Sequence, residues 1–220
     1  MRKVFAFLYP QEDIIDHQIE RSWVLHNIGK KKEKEFENKS DEEYLSYRKK
    51  VYGEFYSSKL NQAIDLRYRS KDYAVYYPLL DDAKISELID VKKEDKIIYV
   101  GMDIKIHRTE VNGEYPYYPD QNYILNQLLP LDELIVSGFH LWDCVQRLAS
   151  RAYERGIKVM VDDELSESFG WLVSKNHFLI DRFPGANPKK YNEDPKFGFS
   201  HFMESFLEAR KDKPWMFVDY

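Results

Sequence analysis

The chain has 220 residues, a hydrophobic share of 43%, and a formal net charge of −5 from 33 Lys and Arg against 38 Asp and Glu. That length fits one large domain with a sizeable core, and the acidic balance argues against a nucleic-acid protein, which would normally carry a basic domain or stripe. The single cysteine excludes an intramolecular disulfide and any multi-cysteine zinc site, so a reducing, cytoplasmic setting is expected.

Val4 to Tyr9 is apolar on both faces, the pattern of a strand buried within a parallel sheet. Pro10-Gln11-Glu12-Asp13 interrupts it too early for a signal peptide, and no stretch is long enough to span a bilayer. No membrane partner is therefore expected. From Glu12 to Ile28 the positions Ile14, Ile15, Ile19, Trp23, Val24 and Ile28 follow helical spacing. A charged stretch of alternating sign, Lys30 to Glu43, reads as a solvated helix or linker, and Ser40 with Glu43 forms a capping-box pattern. A second helical pattern runs from Asp41 towards Tyr68. The segment 29–70 as a whole reads as a helical insertion near the N-terminus, a lid or a subunit contact in a homo-oligomer.

After it, strands alternate with helices. Tyr73 to Leu79 and Lys96 to Val100 read as strands, with Lys84 to Ile89 a short helix between them. Ile104 to His107 extends or follows the second of these strands. Arg108 to Asp120 holds Asn112-Gly113, two prolines and three tyrosines, so it reads as a loop with turn chemistry. Gln121 to Leu129 reads as a helix. An apolar run, Leu134 to Val136, then ends at Ser137-Gly138, an amphipathic helix follows and closes on Gly156, and Ile157 to Val161 is the next strand. The region 166–220 is less regular: Phe178 to Asp181 reads as a strand, Asp181 to Asn187 as a turn, Ser200 to Arg210 as a helix and Trp215 to Val218 as a last strand. Strands separated by helices predict a single α/β domain over 1–220, three-layered, with a largely parallel sheet and helices on both faces.

The lone thiol, Cys144, falls in the first turn of the helix that follows the Leu134–Val136 strand. In open parallel sheets ligands bind outside the carboxyl ends of strands. Free amides and the helix dipole there favour an anion and can lower a thiol pKa to roughly 3.5–7.5. Set against this, a free cysteine commonly serves as a small buried hydrophobe. His140, four residues earlier, offers a Cys–His pairing, and His107 is placed to reach the same rim. The aromatic loop Tyr115-Pro116-Tyr117-Tyr118-Pro119 lines a pocket mouth or forms a stiff surface turn. No Gly-rich phosphate loop and no Gly-x-Ser-x-Gly occur. The acid pairs Asp81-Asp82 and Asp162-Asp163 read as a helix N-cap region and a strand-end turn rather than as magnesium ligands.

The stretch LIVSGFHLWDCVQRLASRAYERG, Leu134 to Gly156, is similar to the signature of the isochorismatase-like cysteine hydrolases, with Gly138, Cys144, Val145, Ala152 and Gly156 in matching places. Their pattern is an apolar strand, a Gly, a short turn, Cys-Val, then a helix ending in Ala-x-x-x-Gly. The resemblance implies that Cys144 is the nucleophile attacking a small amide or related C–N bond, with Lys105 an electrostatic helper. It implies a base in a segment like Ile-Asp-x-Gln-x-Asp-Phe, where this chain has Leu8 to Ile14. Gln11 and Asp13 match, but the position of the base holds Tyr9. A phenol with a pKa near 10 is a poor substitute for a carboxylate, which moves the expected base to Asp13 or another nearby acid. Tyr9, Gly138, Phe139 and His140 are the expected substrate-binding residues. The Asp-x-His metal site of the nicotinamidases finds no match, since His17 and His26 are the only histidines before Lys105. No metal and no cofactor are expected. The partner expected is a small-molecule substrate, or a ligand if the domain has lost catalysis and serves as a binding or protein-interaction module. A nucleotide-handling α/β protein is a third reading.

Overall fold

The computed structural model describes residues 1–15, 40–52, 57–166, 169, 180–181 and 212–215. Five strands, β1 (Lys3–Leu8), β2 (Tyr73–Leu79), β3 (Lys96–Tyr99), β4 (Glu133–Gly138) and β5 (Lys158–Val161), form one sheet in the order β3-β2-β1-β4-β5. Every pairing is parallel, with Phe5 opposite Val75 on one side and Ile135 on the other. The helices are α1 (Asp41–Tyr52), α2 (Ser58–Arg67), α3 (Ile104–His107), α4 (Gln121–Leu128) and α5 (Gln146–Glu154). The expected α/β fold with a parallel sheet is therefore observed.

The continuous apolar runs are explained by a sheet buried on both faces. Along β1, Val4, Ala6 and Leu8 join one cluster while Phe5 and Phe7 join the other. Ile124, Leu125 and Leu128 of α4 and Leu148, Ala149 and Ala152 of α5 cover the first face. Leu60, Ala63 and Ile64 of α2 cover the second, where Phe5 stacks on Tyr68 with ring centroids 3.7 Å apart. Residues 58–67 are thus part of the core, because the spacing 60, 63, 64, 67 aligns one apolar stripe along the helix. Within segment 29–70, expected as a lid or a subunit contact, these ten residues are instead part of the core. The capping box is present: the Ser40 amide donates to Glu43 Oε2 at 2.9 Å and the Glu43 amide donates to Ser40 Oγ at 3.3 Å.

One local expectation differs, and one left open is resolved. Lys84 to Ile89 is not helical, because its backbone bonds elsewhere: the Ser86 amide donates to Pro10 O at 2.9 Å and Lys84 O accepts from the Glu12 amide at 3.2 Å. Ile104 to His107 is a helical turn rather than a strand, started by Asp103, whose carboxylate accepts from the Ile106 amide at 2.9 Å. Trp215 docks beside β5, its carbonyl accepting from the Val161 amide at 2.8 Å. The rest of the expected strand 215–218 lies outside the described residues, as do the helical pattern beyond Ile15, most of the charged stretch, and the elements expected over 182–210. Among the described residues no helix is long and apolar enough to cross a membrane.

Candidate functional site

The strand order reverses at β1: β2 and β3 lie on one side, β4 and β5 on the other. The crevice outside the carboxyl ends of β1 and β4 is the switch point at which open parallel sheets bind ligands. Two backbone features shape it. Gly138 pairs with Leu8 at the end of both strands and has φ +148°; a Cβ there would lie 2.8 Å from Leu8 O, so only glycine permits this approach. Tyr9 follows Leu8 in the left-handed region at φ 55°, held by its amide donating to Pro78 O at 2.9 Å.

After Gly138, Phe139 turns to the opposite face and packs edge-on against Phe7 at 5.4 Å. It belongs to the core cluster there and lines no described pocket, so the expected substrate contact is not where the structure places it. His140 opens a wide helical turn, Leu141–Val145, in which the Val145 amide donates back to His140 O at 3.2 Å. This turn sets Cys144 beneath the crevice, 8% exposed and packed in the cluster with Leu141, Val145 and Leu148.

A narrow pocket of about 30 Å³ reaches Cys144 between Tyr9, Ile14, Leu80, His107, Pro119 and His140. A wider cleft of about 580 Å³ shares Ile14, His107 and His140 as walls and adds Ile104, Arg108, Tyr115, Tyr118 and Asp143. The loop 108–120 forms part of its lining. Asn112 and Gly113, at φ 55° and 84°, make the expected tight turn between Val111 and Glu114. Tyr118 pins the loop to the helix start: its ring lies under the Arg147 guanidinium at 3.7 Å, and it neighbours Asp143, which accepts from Arg147 Nε at 2.7 Å.

Of the expected site residues, the structure brings Cys144, Tyr9 and His140 together, with Gly138 shaping the wall behind them. Asp13 stands apart from the thiol: it lines a neighbouring cleft of about 460 Å³ with Glu12, Asp82 and Lys84, accepts from Gln11 Nε2 at 3.0 Å, and pairs with Arg108 at 3.2 Å. Lys105 is exposed on α3 and lines none of these pockets. Arg108 and the Tyr118–Asp143–Arg147 contacts had no signal in the sequence beyond residue type. Asp81 and Asp82 are engaged in backbone contacts, accepting from the Gly101 amide at 2.8 Å and the Ile104 amide at 3.1 Å. Among the described residues no three His, Cys, Asp or Glu side chains converge as metal ligands.

The electrostatics reverse one expectation. Burial pushes the Cys144 thiol up to about 12, and Asp143 adds to this while Arg147 opposes it. Desolvation in the apolar cluster outweighs the helix start, so the resting thiol is protonated. Burial also raises the Tyr9 phenol well above its ordinary value, with Cys144 and Asp143 contributing. Tyr9 is therefore a proton donor at neutral pH, and no hydrogen bond occupies its hydroxyl among the described residues.

Beside this crevice, at the end of β5, lies a buried ionic cluster. Arg67 Nη1 meets both Asp162 oxygens at 3.2 and 3.0 Å and Nη2 meets Glu164 Oε2 at 2.7 Å, all three side chains being 0% exposed. The Tyr68 hydroxyl donates to Asp162 as well, and Ser137 Oγ, one residue before Gly138, donates to Asp162 O at 2.9 Å. Asp162 also caps the turn Asp163–Leu165, accepting from the Leu165 amide at 3.2 Å.

No protein-family model matches the chain, and no curated protein matches it. Among solved structures it is similar to one that carries the name Mar1 ribonuclease, from Leishmania major, at 10% identity and a TM-score of 0.42, over 94% of this chain and 91% of that one.

Proposed function

We propose that the crevice is the site of a cysteine-dependent hydrolase acting on a small amide or related C–N bond. The observation that carries this reading is the meeting, at the switch point, of the Cys144 thiol and the Tyr9 side chain, whose hydroxyl no described residue bonds, in one narrow pocket. The similarity of Leu134 to Gly156 to the isochorismatase-like signature supports it, and so does the parallel α/β sheet that the resemblance implies. In this reading Cys144 Sγ attacks the carbonyl carbon and Tyr9 donates a hydrogen bond to the oxygen as charge develops on it. The pocket admits only a small reacting group, while the wider cleft receives the remainder of the substrate.

The test is a panel of small primary amides followed by ammonia release, with Cys144→Ser as control. Turnover lost in the control supports the reading. A specific observation favours a second one: the thiol is buried and protonated, and among the described residues no carboxylate lines the narrow pocket. A module that binds a small molecule without turning it over would show a ligand-dependent rise in melting temperature and no product.

A further inference from the structure

We infer that His107 is the general base that takes the proton from Cys144, since no carboxylate stands among the described residues lining this pocket. The inference rests on the hydrolase reading. A protonated thiol needs a proton acceptor within the pocket, and among the described residues the imidazoles of His107 and His140 are the nitrogen bases that line it with Cys144. They are not equivalent. His140 is exposed, whereas His107 is half-buried. The His107 ring is also fixed: Nδ1 lies 2.8 Å from Tyr117 O, and the Tyr118 ring stands edge-on to it at 5.4 Å.

A backbone carbonyl can only accept. Nδ1 therefore carries the hydrogen, and Nε2 of the neutral ring carries the lone pair. This is the tautomer a base requires, held by the same loop that Tyr118 anchors to Asp143 and Arg147. Asp13, the acid expected to replace the base, is ion-paired with Arg108 and lines the neighbouring cleft together with Glu12.

Sγ bonds to the carbonyl carbon as Nε2 takes its proton, and the C=O π pair moves to oxygen, which Tyr9 holds. Collapse breaks the C–N bond, and the amine leaves with the proton from Nε2. Water then attacks the thioester carbon and gives a proton to Nε2. The second collapse releases the acid, and Nε2 returns its proton to Sγ.

The experiment follows the pre-steady-state release of p-nitrophenol from p-nitrophenyl acetate by wild type, Cys144→Ala, His107→Ala and His140→Ala, with circular dichroism of each. A Cys144-dependent burst that slows in His107→Ala by about 10²-fold or more, the usual scale of general-base catalysis, supports the inference. Recovery with added imidazole separates a lost base from a lost fold. A burst in His107→Ala as fast as wild type, or a loss confined to His140→Ala, overturns the inference and leaves the hydrolase reading standing. A slowed His107→Ala that imidazole does not restore also overturns it. No Cys144-dependent burst in wild type overturns both.

Discussion

Replacing Arg67 with Met should be the most damaging single change outside the crevice. The guanidinium makes two contacts to Asp162 at 3.0 and 3.2 Å, one to Glu164 at 2.7 Å and one to Ile180 O at 2.9 Å, with no exposed surface on any of the three charged side chains. Methionine keeps the stem's apolar packing against α2's neighbours and leaves two buried carboxylates without their cation. Breaking a buried pair in this way costs about 3–5 kcal/mol. For a chain of this length that corresponds to a fall in Tm of roughly 10 °C, at about 2–4 °C per kcal/mol. Urea unfolding followed by circular dichroism measures it. The triple variant Arg67→Met, Asp162→Asn, Glu164→Gln removes all three charges and should recover part of the loss. A single variant within about 1 kcal/mol of wild type, or a triple variant no more stable than the single, would refute the reasoning.

Three further outcomes follow from the crevice itself. Gly138→Ala forces a Cβ to within 2.8 Å of Leu8 O at φ +148° and should destabilise the chain by about 2 kcal/mol or more, read by urea unfolding. Tyr9→Phe should lower amide turnover by roughly 10²-fold, the scale of losing one oxyanion donor. It should leave Tm nearly unchanged, because no described group bonds that hydroxyl. Stability should fall as pH rises from about 9 to about 12, the ordinary and folded values of the Cys144 thiol. In that window the unfolded chain has released a proton that the folded chain retains, so the contribution is complete below the window and lost above it. Urea midpoints at pH 8 and 10 should differ more in wild type than in Cys144→Ala.

Much of the sheet was legible because buried parallel strands advertise themselves. Tyr73 to Leu79 carries its apolar character on both faces, and the run ending at Ser137-Gly138 marks where β4 stops. The Asn112-Gly113 turn was legible for a different reason, its chemistry being local. The failures are tertiary. Lys84 to Ile89 has helical composition, but its amides and carbonyls are taken by the segment after β1. The inward place of Arg67 was not read from the sequence; its register with Leu60, Ala63 and Ile64 was the available sign. At the crevice, sequence put Cys144, Tyr9 and His140 in one place, but not the burial that protonates the thiol. It placed His107 at the same rim, but could not show that Lys105 stays outside, since that depends on where Asp103 starts the helix.

The most direct measurement is peptide-level mass spectrometry of the protein quenched in acid moments after mixing with p-nitrophenyl acetate. The account predicts an acetyl group on the peptide carrying Cys144, accumulating before steady state and disappearing as substrate is exhausted. An unmodified Cys144 peptide throughout, or acetylation that reaches the thiol only after unfolding, would contradict it.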